Sequence, residues 1–184
     1  MKLELITQTR WLKFFTRIYV NKNGREAKWD FVSRKENPDK PQKNADAVVI
    51  VAILKGKLVL IKQFRAPIYD YLIECPAGLI DIDETPLDAA KREFEEETGL
   101  ILCKCSNYPI PTYNSAGITD ESVCYVIGNA EGEISTSSNE ESEDIQVLTV
   151  DKNEALKLLV SKDQKISSKC FLVLLAYAAG FDWR

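Results

Sequence analysis

The chain has 184 residues, of which 45% are hydrophobic and 28% are charged, and this composition is that of an ordinary folded protein rather than a disordered or fibrous one. Its length suits one domain with a full hydrophobic core that needs no disulfide or structural metal. The net charge of −4 argues against nucleic-acid binding by phosphate neutralisation, because proteins of that class carry a basic face.

No apolar stretch reaches the roughly 20 residues that span a bilayer, and the N-terminus lacks the apolar region of a secretion signal. We therefore expect a cytoplasmic protein without membrane association. The five cysteines show no CxxC spacing, which predicts buried free thiols rather than disulfides or a zinc site. Histidine is absent, so acid–base chemistry must fall to carboxylates, Lys, Tyr or Cys.

Residues 1–43 predict a small N-terminal β lobe. Short strands are expected at Thr16–Val20 and Lys28–Ser33, because both runs are rich in strand-forming residues and flank the turn Asn21–Gly24. This pattern predicts a hairpin placed before the main domain.

The next stretch predicts a core β-hairpin followed by a helix. The run Ala47–Leu54 is almost wholly apolar and rich in Val and Ile, and Lys57–Phe64 returns as its partner strand. The helix is expected at Pro86–Thr98, with Thr85 as its N-cap and Gly99 just past its end.

The last part of the chain predicts two strands and two helices. The strands, Ser122–Ile127 and Ile145–Val150, flank an acidic, serine-rich loop at Glu131–Asp144. One helix is capped by Asp151 and runs through Val160, and the other begins at Ser167 or Ser168 and ends near Gly180. Together these elements predict an α/β fold with mixed strands and few helices.

The stretch Gly78–Leu100, GLIDIDETPLDAAKREFEEETGL, carries the chemistry. At about 100° per residue, Glu93, Glu96 and Glu97 project from one face of the predicted helix. Three carboxylates there form a hard-oxygen site for Mg²⁺ or Mn²⁺. A glutamate-rich helix is otherwise typical of a solvated face, but this one stands within a set of residues at fixed offsets: Gly78, Glu84, Arg92, Glu93, Glu96, Glu97 and Gly99.

This stretch resembles the Nudix box and matches it at every fixed position. The preceding KQFRAPIYDYLIECPAGLID, Lys62–Asp81, is similar to the ADP-ribose or ADP-sugar pyrophosphatase branch of Nudix hydrolases. The resemblance, which runs from about Trp11 to Ala179, implies a Nudix fold. That fold is α/β, with a mixed β-sheet sandwiched between helices and an N-terminal β-hairpin lobe. The hydrolase domain is then residues 44–184, and the lobe serves base binding and dimerisation.

The resemblance also implies a metal site and a substrate contact. The metal ligands would be the backbone carbonyl of Ala77 with Glu93, Glu96 and Glu97, and Glu97 would also count among the catalytic groups. Arg65 would face a phosphate or the terminal ribose of the substrate, although a single arginine at a strand end also commonly forms an ordinary salt bridge.

The stretch EESEDIQVLTV, Glu141–Val150, resembles the place where this branch keeps its catalytic glutamate. Glu141 is the first candidate for positioning or deprotonating the attacking water, and Glu143 is the second. Either carboxylate could instead assist metal binding, and an acidic solvated loop is the alternative interpretation.

In the N-terminal lobe, RWLKFF and AKWDFVSR resemble segments that supply two aromatics around adenine and a nearby arginine. The matching residues are Trp11, Trp29 and Arg34, although a tryptophan on a hairpin also commonly serves packing. Because this lobe is exchanged between subunits in the branch, the resemblance implies a homodimer with composite sites. The loop Tyr113–Glu121 has Ala116 where the branch frequently has Pro, which leaves the sugar specificity open.

The resemblance implies Mg²⁺-dependent hydrolysis of the pyrophosphate of ADP-ribose, or of a related nucleoside diphosphate sugar, to AMP and ribose 5-phosphate. Another sugar nucleotide such as GDP-mannose is an alternative substrate, because the box recognises the pyrophosphate and not the base. A noncatalytic nucleotide-sensing Nudix module is a second alternative, against which the intact glutamates argue. An mRNA-cap hydrolase is a third, and the acidic composition argues against it.

Overall fold

The computed structural model describes residues 1–137 and 144–181, and these residues form ten β-strands and three α-helices. The strands are β1 Lys2–Gln8, β2 Lys13–Val20, β3 Glu26–Ser33, β4 Ala47–Leu54, β5 Lys57–Arg65, β6 Asp70–Glu74, β7 Ala77–Leu79, β8 Ile101–Tyr113, β9 Ser122–Glu131 and β10 Ile145–Val150. The helices are α1 Pro86–Thr98, α2 Lys152–Val160 and α3 Ser168–Ala178, and a short 3-10 helix lies at Ala66–Ile68.

The N-terminal lobe is an antiparallel sheet in the order β1-β2-β3. The predicted hairpin is β2–β3, and its turn is closed by the Asn21 side chain, whose Oδ1 accepts the backbone N–H groups of Asn23 and Arg25. Strand β1 was not predicted, because it lies at the sheet edge and its side chains show no regular alternation of buried and exposed positions. The lobe is therefore larger by one strand than the sequence suggested.

The main sheet has the order β10-β5-β4-β9-β8, with β6 pairing to β5 and β7 pairing to β4. Strands β4 and β9 are parallel, whereas the other pairs are antiparallel, which confirms the predicted mixed sheet. The β4–β5 hairpin turns at Lys55 and Gly56, whose φ angles of 48° and 83° are those of a two-residue hairpin turn.

Helices cover both faces of the main sheet. On one face, α1 buries Ala89, Ala90 and Phe94 in a core that includes Ile50 of β4 and Val126 of β9. On the other face, α2 and α3 pack over a second core with residues of the same strands. The predicted arrangement of a mixed sheet between helices is therefore confirmed.

Helix α1 begins and ends where the capping signals predict. The hydroxyl of Thr85 accepts the backbone N–H of Asp88, and Pro86 occupies the first turn, where its missing N–H costs nothing. Gly99 ends the helix in the left-handed region, with φ 71°. The caps fix the limits of α1, and burial of Ala89, Ala90 and Phe94 sets which face of the helix packs on the sheet.

Strands β6, β7 and β8 were not predicted. In β8 the prolines Pro109 and Pro111 argue against a strand, but β8 is the edge of the sheet, where a missing N–H is tolerated. The pairing of β8 with β9 also shifts between Tyr108 and Thr112, which leaves both prolines in an irregular segment. Strand β7 has three residues, which is too short for a periodic signal.

The lobe is joined to the main sheet through the loop after β8. The backbone N–H of Val32 donates to the carbonyl of Ile118 at 2.8 Å. The Lys35 ammonium lies 3.3 Å from Asp46 and 3.1 Å from Asp120. All five cysteines are free; Cys75, Cys124 and Cys170 are also buried, as predicted, whereas Cys103 and Cys105 are only partly buried. In the described part of the chain, no helix is long and apolar enough to span a membrane.

Candidate active site

Arg92 is the centre of an ion-pair network on α1. Its Nε and Nη2 donate to the two carboxylate oxygens of Glu84 at 3.0 and 2.8 Å, and its Nη1 donates to Glu93 at 2.8 Å and to Glu96 at 3.1 Å. Its Nη2 also donates to the carbonyl of Leu79 at 3.1 Å. Arg92 therefore fixes the carboxylates against one another and ties α1 to β7.

The same network sets the charge of the site. The hydrogen bonds from Arg92 hold the pKa of Glu84 below its ordinary value, and the Glu84 carboxylate in turn raises the pKa of Arg92. The one positive charge of Arg92 thus offsets part of the repulsion among the carboxylates of Glu84, Glu93 and Glu96.

Gly78 provides the space that Glu93 occupies. A Cβ atom at Gly78 would lie 1.8 Å from Cδ of Glu93 and 2.1 and 2.2 Å from its two carboxylate oxygens. No side chain fits there while Glu93 keeps its position, because real Cβ atoms essentially never approach closer than 3.0 Å. The glycine is therefore required for the position of the Glu93 carboxylate, and not for an unusual φ angle.

Glu97 is the buried member of the set. It is 3% exposed, and its Oε2 accepts the backbone N–H of Ala77 at 3.1 Å. Helix α1 thus places Glu97 against Ala77 and Glu93 against Gly78, which are consecutive residues of β7. The two glutamates and the start of β7 share one side of the main sheet.

The donor chemistry of this region fits a hard divalent cation. Every side-chain donor is a carboxylate oxygen, and histidine is absent from the chain. Among residues 1–137 and 144–181, no three acidic or cysteine side chains converge into a complete metal cluster. The carboxylates of Glu93, Glu96 and Glu97 nevertheless offer the type of donor, oxygen, that Mg²⁺ prefers.

Arg65 lies at the end of β5, on the sheet face that α1 covers. Its Nε donates to Glu74 of β6 at 2.6 Å, and its side chain remains 41% exposed. The salt bridge considered from the sequence is thus present, and it orients a guanidinium that still reaches the surface. Glu74 was not singled out from the sequence, because its pairing with Arg65 depends on the β5–β6 register.

The acidic loop reaches β10 beside the end of β5. Glu141 and Glu143, the candidates for the catalytic glutamate, lie outside the described residues. The first described residue after them, Asp144, accepts the N–H of Phe64 through its carbonyl at 3.1 Å, and its carboxylate accepts the hydroxyl of Tyr71. The C-terminal end of the loop is therefore anchored close to Arg65.

The structure does not bring Trp11 and Trp29 together within one chain. Trp29 pairs with Arg17 in the β2–β3 register, and Lys13, the first residue of β2, lies four residues before Arg17, or roughly 13 Å away along the strand. Trp11 lies beyond Lys13, in the turn between β1 and β2. Trp11 is 64% exposed and stacks under Arg10, with 4.4 Å between the guanidinium and the ring centroid. Arg34 donates to Glu121 at 2.9 Å.

Trp29 lies instead in a largely apolar pocket between the lobe and the loop after β8. Its indole N–H donates to the carbonyl of Gly117 at 3.2 Å. The pocket has a volume of about 520 Å³ and is lined by Met1, Arg17, Tyr19, Trp29, Phe31, Tyr113, Ala116, Thr119 and Asp120. Its flat aromatic walls suit a planar ring, and of these residues only Trp29 was selected from the sequence.

Comparison with known proteins places these features in a family. A family model described as NUDIX domain matches residues 42–170. The chain is 32% identical to "Putative nudix hydrolase 2" of Caenorhabditis elegans, over 98% of this chain and 83% of that protein. It is 32% identical to "ADP-ribose pyrophosphatase" of Saccharomyces cerevisiae, over 85% of this chain and 71% of that protein.

Two further similarities are more limited in extent or in identity. The chain is 40% identical to "ADP-sugar pyrophosphatase" of Mus musculus, over 52% of this chain and 45% of that protein. A solved structure described as "Crystal structure of ADP compounds hydrolase" shares the fold, with a TM-score of 0.76 at 18% identity, over 98% of this chain and 93% of that chain. The box geometry, the fold and these relatives together show that the chain belongs to the Nudix family and is a Nudix hydrolase.

Proposed function

We propose that this chain hydrolyses the pyrophosphate bond of ADP-ribose, or of a closely related nucleoside diphosphate sugar, to release AMP and ribose 5-phosphate. The observation that carries the proposal is the placement of Glu93 and Glu97 against Gly78 and Ala77, with Arg92 holding the carboxylates. The choice of substrate is supported by relatives named ADP-ribose and ADP-sugar pyrophosphatase.

In the proposed enzyme the carbonyl of Ala77 and the carboxylates of Glu93, Glu96 and Glu97 hold Mg²⁺, with Mn²⁺ as a substitute. The bound cation supplies neutralisation of phosphate charge and a lower pKa for an attacking water. Burial of Glu97 limits its motion, and the contact with Gly78 does the same for Glu93. The carboxylates of Glu93 and Glu97 are therefore held in position before any ligand binds.

Arg65 and the acidic loop supply the remaining proposed roles. The Arg65 guanidinium, oriented by Glu74, binds a phosphate or the terminal ribose of the substrate. Glu141, or else Glu143, positions or deprotonates the water. The anchoring of Asp144 beside β5 supports this assignment, because it brings the end of that loop to the strand that carries Arg65.

The pocket at Trp29 is the proposed site of the base. A tryptophan presents a broad flat surface to a purine at low entropic cost. Because Trp11 lies too far from Trp29 within one chain, the second aromatic of a sandwich would come from another copy. This separation supports the proposed homodimer with composite sites, in which Trp11, Trp29 and Arg34 contact the substrate.

A panel of nucleotide sugars tests the substrate assignment. The protein is incubated with Mg²⁺ and equal concentrations of ADP-ribose, GDP-mannose and UDP-glucose, and release of the nucleoside monophosphates is followed by chromatography. We expect AMP release from ADP-ribose to be the fastest. Faster release of GMP or UMP would support pyrophosphate hydrolysis but contradict ADP-ribose as the preferred substrate. Nucleotide binding without release of any monophosphate would indicate a noncatalytic sensor.

A further inference from the structure

Gln63 on β5 carries a buried amide oxygen that has no partner among residues 1–137 and 144–181. Its side chain belongs to a residue that is only 7% exposed. Its Oε1 is shielded from solvent and accepts no hydrogen bond from any residue the structure describes. Native proteins pair the great majority of their buried side-chain amides, because an unpaired one destabilises the fold. A buried amide oxygen that destabilises the fold is therefore expected to have a function.

Strand alternation places Gln63 on the catalytic side of the sheet. Val59 packs in the core beneath α1, whereas Leu58 and Leu60 pack in the core beneath α2 and α3. Gln63 lies four residues after Val59, and the pairing of β5 with β10 is regular as far as Gln63 and Ile145. Because side chains alternate with a period of two, Gln63 faces the same side as Val59 and α1.

The neighbours of Gln63 belong to the proposed substrate site. Arg65 lies two residues further along the same face, and its partner Glu74 is on the adjacent strand. Ile145 pairs with Gln63. It directly follows Asp144, the last residue of the acidic loop. An amide oxygen with no partner in the described part of the chain therefore lies on the same face as an oriented guanidinium, opposite the start of β10.

We propose that Gln63 contacts the substrate, and that its Oε1 accepts a hydrogen bond from a sugar hydroxyl of the bound nucleoside diphosphate sugar beside Arg65; this rests on the function proposed above. A sugar hydroxyl suits this oxygen, because the carbonyl of an amide accepts hydrogen bonds and a hydroxyl can donate one, whereas a phosphate oxygen cannot. The contact requires rotation of the terminal amide, for which the last side-chain torsion of glutamine has broad, shallow minima. Bound substrate then supplies a partner that the described residues do not provide.

A change to leucine separates this role from packing. Gln63→Leu removes the unpaired amide at nearly constant size, so the variant should unfold at the same or a higher urea concentration than the parent. It should also lose about 10-fold in kcat/KM for ADP-ribose, and a similar factor in affinity for a nonhydrolysable methylene analogue of ADP-ribose. Gln146→Leu is the matched control, because Gln146 is exposed on the opposite face of β10, and it should change neither property.

Two results would overturn the proposal. Unchanged kcat/KM and analogue affinity in Gln63→Leu would show that a buried water satisfies the amide, or that the fold merely tolerates it. A joint loss of stability and affinity would show that Gln63 acts through packing. A parent protein that neither hydrolyses ADP-ribose nor binds the analogue would overturn the proposed function as well, whereas equal binding by parent and variant overturns the role of Gln63 alone.

Discussion

Substitution of Gly78 by alanine tests how the box positions its glutamates. The added Cβ would lie 1.8 Å from Cδ of Glu93, whereas ordinary contact begins at 3.4 Å, so the carboxylate must move by roughly 1.6 Å. The opposing atoms are the end of a flexible side chain, so the backbone can stay in place. The change should therefore displace a proposed metal ligand while leaving the fold intact.

The expected result is a large loss of activity with a small loss of stability. A misplacement of about 1 Å at a reacting centre costs on the order of 100-fold in rate, so Gly78→Ala should lower kcat/KM for ADP-ribose by about that factor. The free energy of unfolding should fall by about 1 kcal/mol, because the ion pair between Glu93 and Arg92 is disturbed at a partly exposed site.

The assay combines hydrolysis of ADP-ribose, Mn²⁺ binding followed by electron paramagnetic resonance, and urea denaturation. Gly117→Ala is the control for the stability measurement, since a Cβ at Gly117 would meet nothing within 4 Å. If Gly78→Ala retained parental activity and Mn²⁺ affinity, the position of Glu93 over Gly78 would not matter for the site. The steric reasoning would then be refuted.

Three further predictions concern the ion-pair network, the aromatic pocket and acid stability. Arg92→Met should lower the free energy of unfolding of the metal-free protein by about 2 kcal/mol, a value between those of surface and buried ion pairs. Lys91→Met, on the exposed face of α1, should change it little. Equal urea midpoints for the parent and Arg92→Met would contradict this prediction. Trp29→Ala should raise KM for ADP-ribose about 10-fold and leave kcat nearly unchanged, because it removes stacking on the base. An unchanged KM would show that the base does not bind in this pocket. Burial raises the pKa of Asp46, but hydrogen bonds from Ser122 and the charge of Lys35 outweigh it and bring that pKa below its ordinary value of 3.8. The stabilisation of the fold by the Asp46 carboxylate is thus present above about pH 4 and lost as the pH falls through the lowered folded-state pKa. Asp46→Asn should therefore lower the free energy of unfolding by about 1 kcal/mol at pH 7 and by little at pH 2. An equal loss at pH 2 in urea unfolding would contradict this role of Asp46.

The sequence predicted best those features that depend on neighbouring residues. The limits of α1 follow from Thr85, Pro86 and Gly99, each of which acts within one helical turn. The hairpin of β4 and β5 follows from an apolar run and a two-residue turn. Both predictions were confirmed because the physical causes, capping and turn geometry, are local.

Features that depend on pairing between distant segments were missed. Strand β8 contains two prolines, and only its place at the sheet edge makes them acceptable. The close approach of Glu93 to Gly78 joins residues that the sequence shows as separate positions of one motif. The pair Arg65 and Glu74 likewise depends on the register of two strands. Such contacts require the sheet topology, which local patterns do not specify.

The most direct test of the account is hydrolysis of ADP-ribose in the presence of Mg²⁺ by the parent protein and by Glu97→Gln. Glutamine at position 97 keeps the size of the side chain and can still accept the N–H of Ala77, but it removes the buried charge. The account predicts AMP release by the parent, loss of that release on addition of a chelator, and at least a 100-fold lower rate for the variant with its fold retained. Equal rates for the two proteins, or AMP release that continues without a divalent cation, would contradict it.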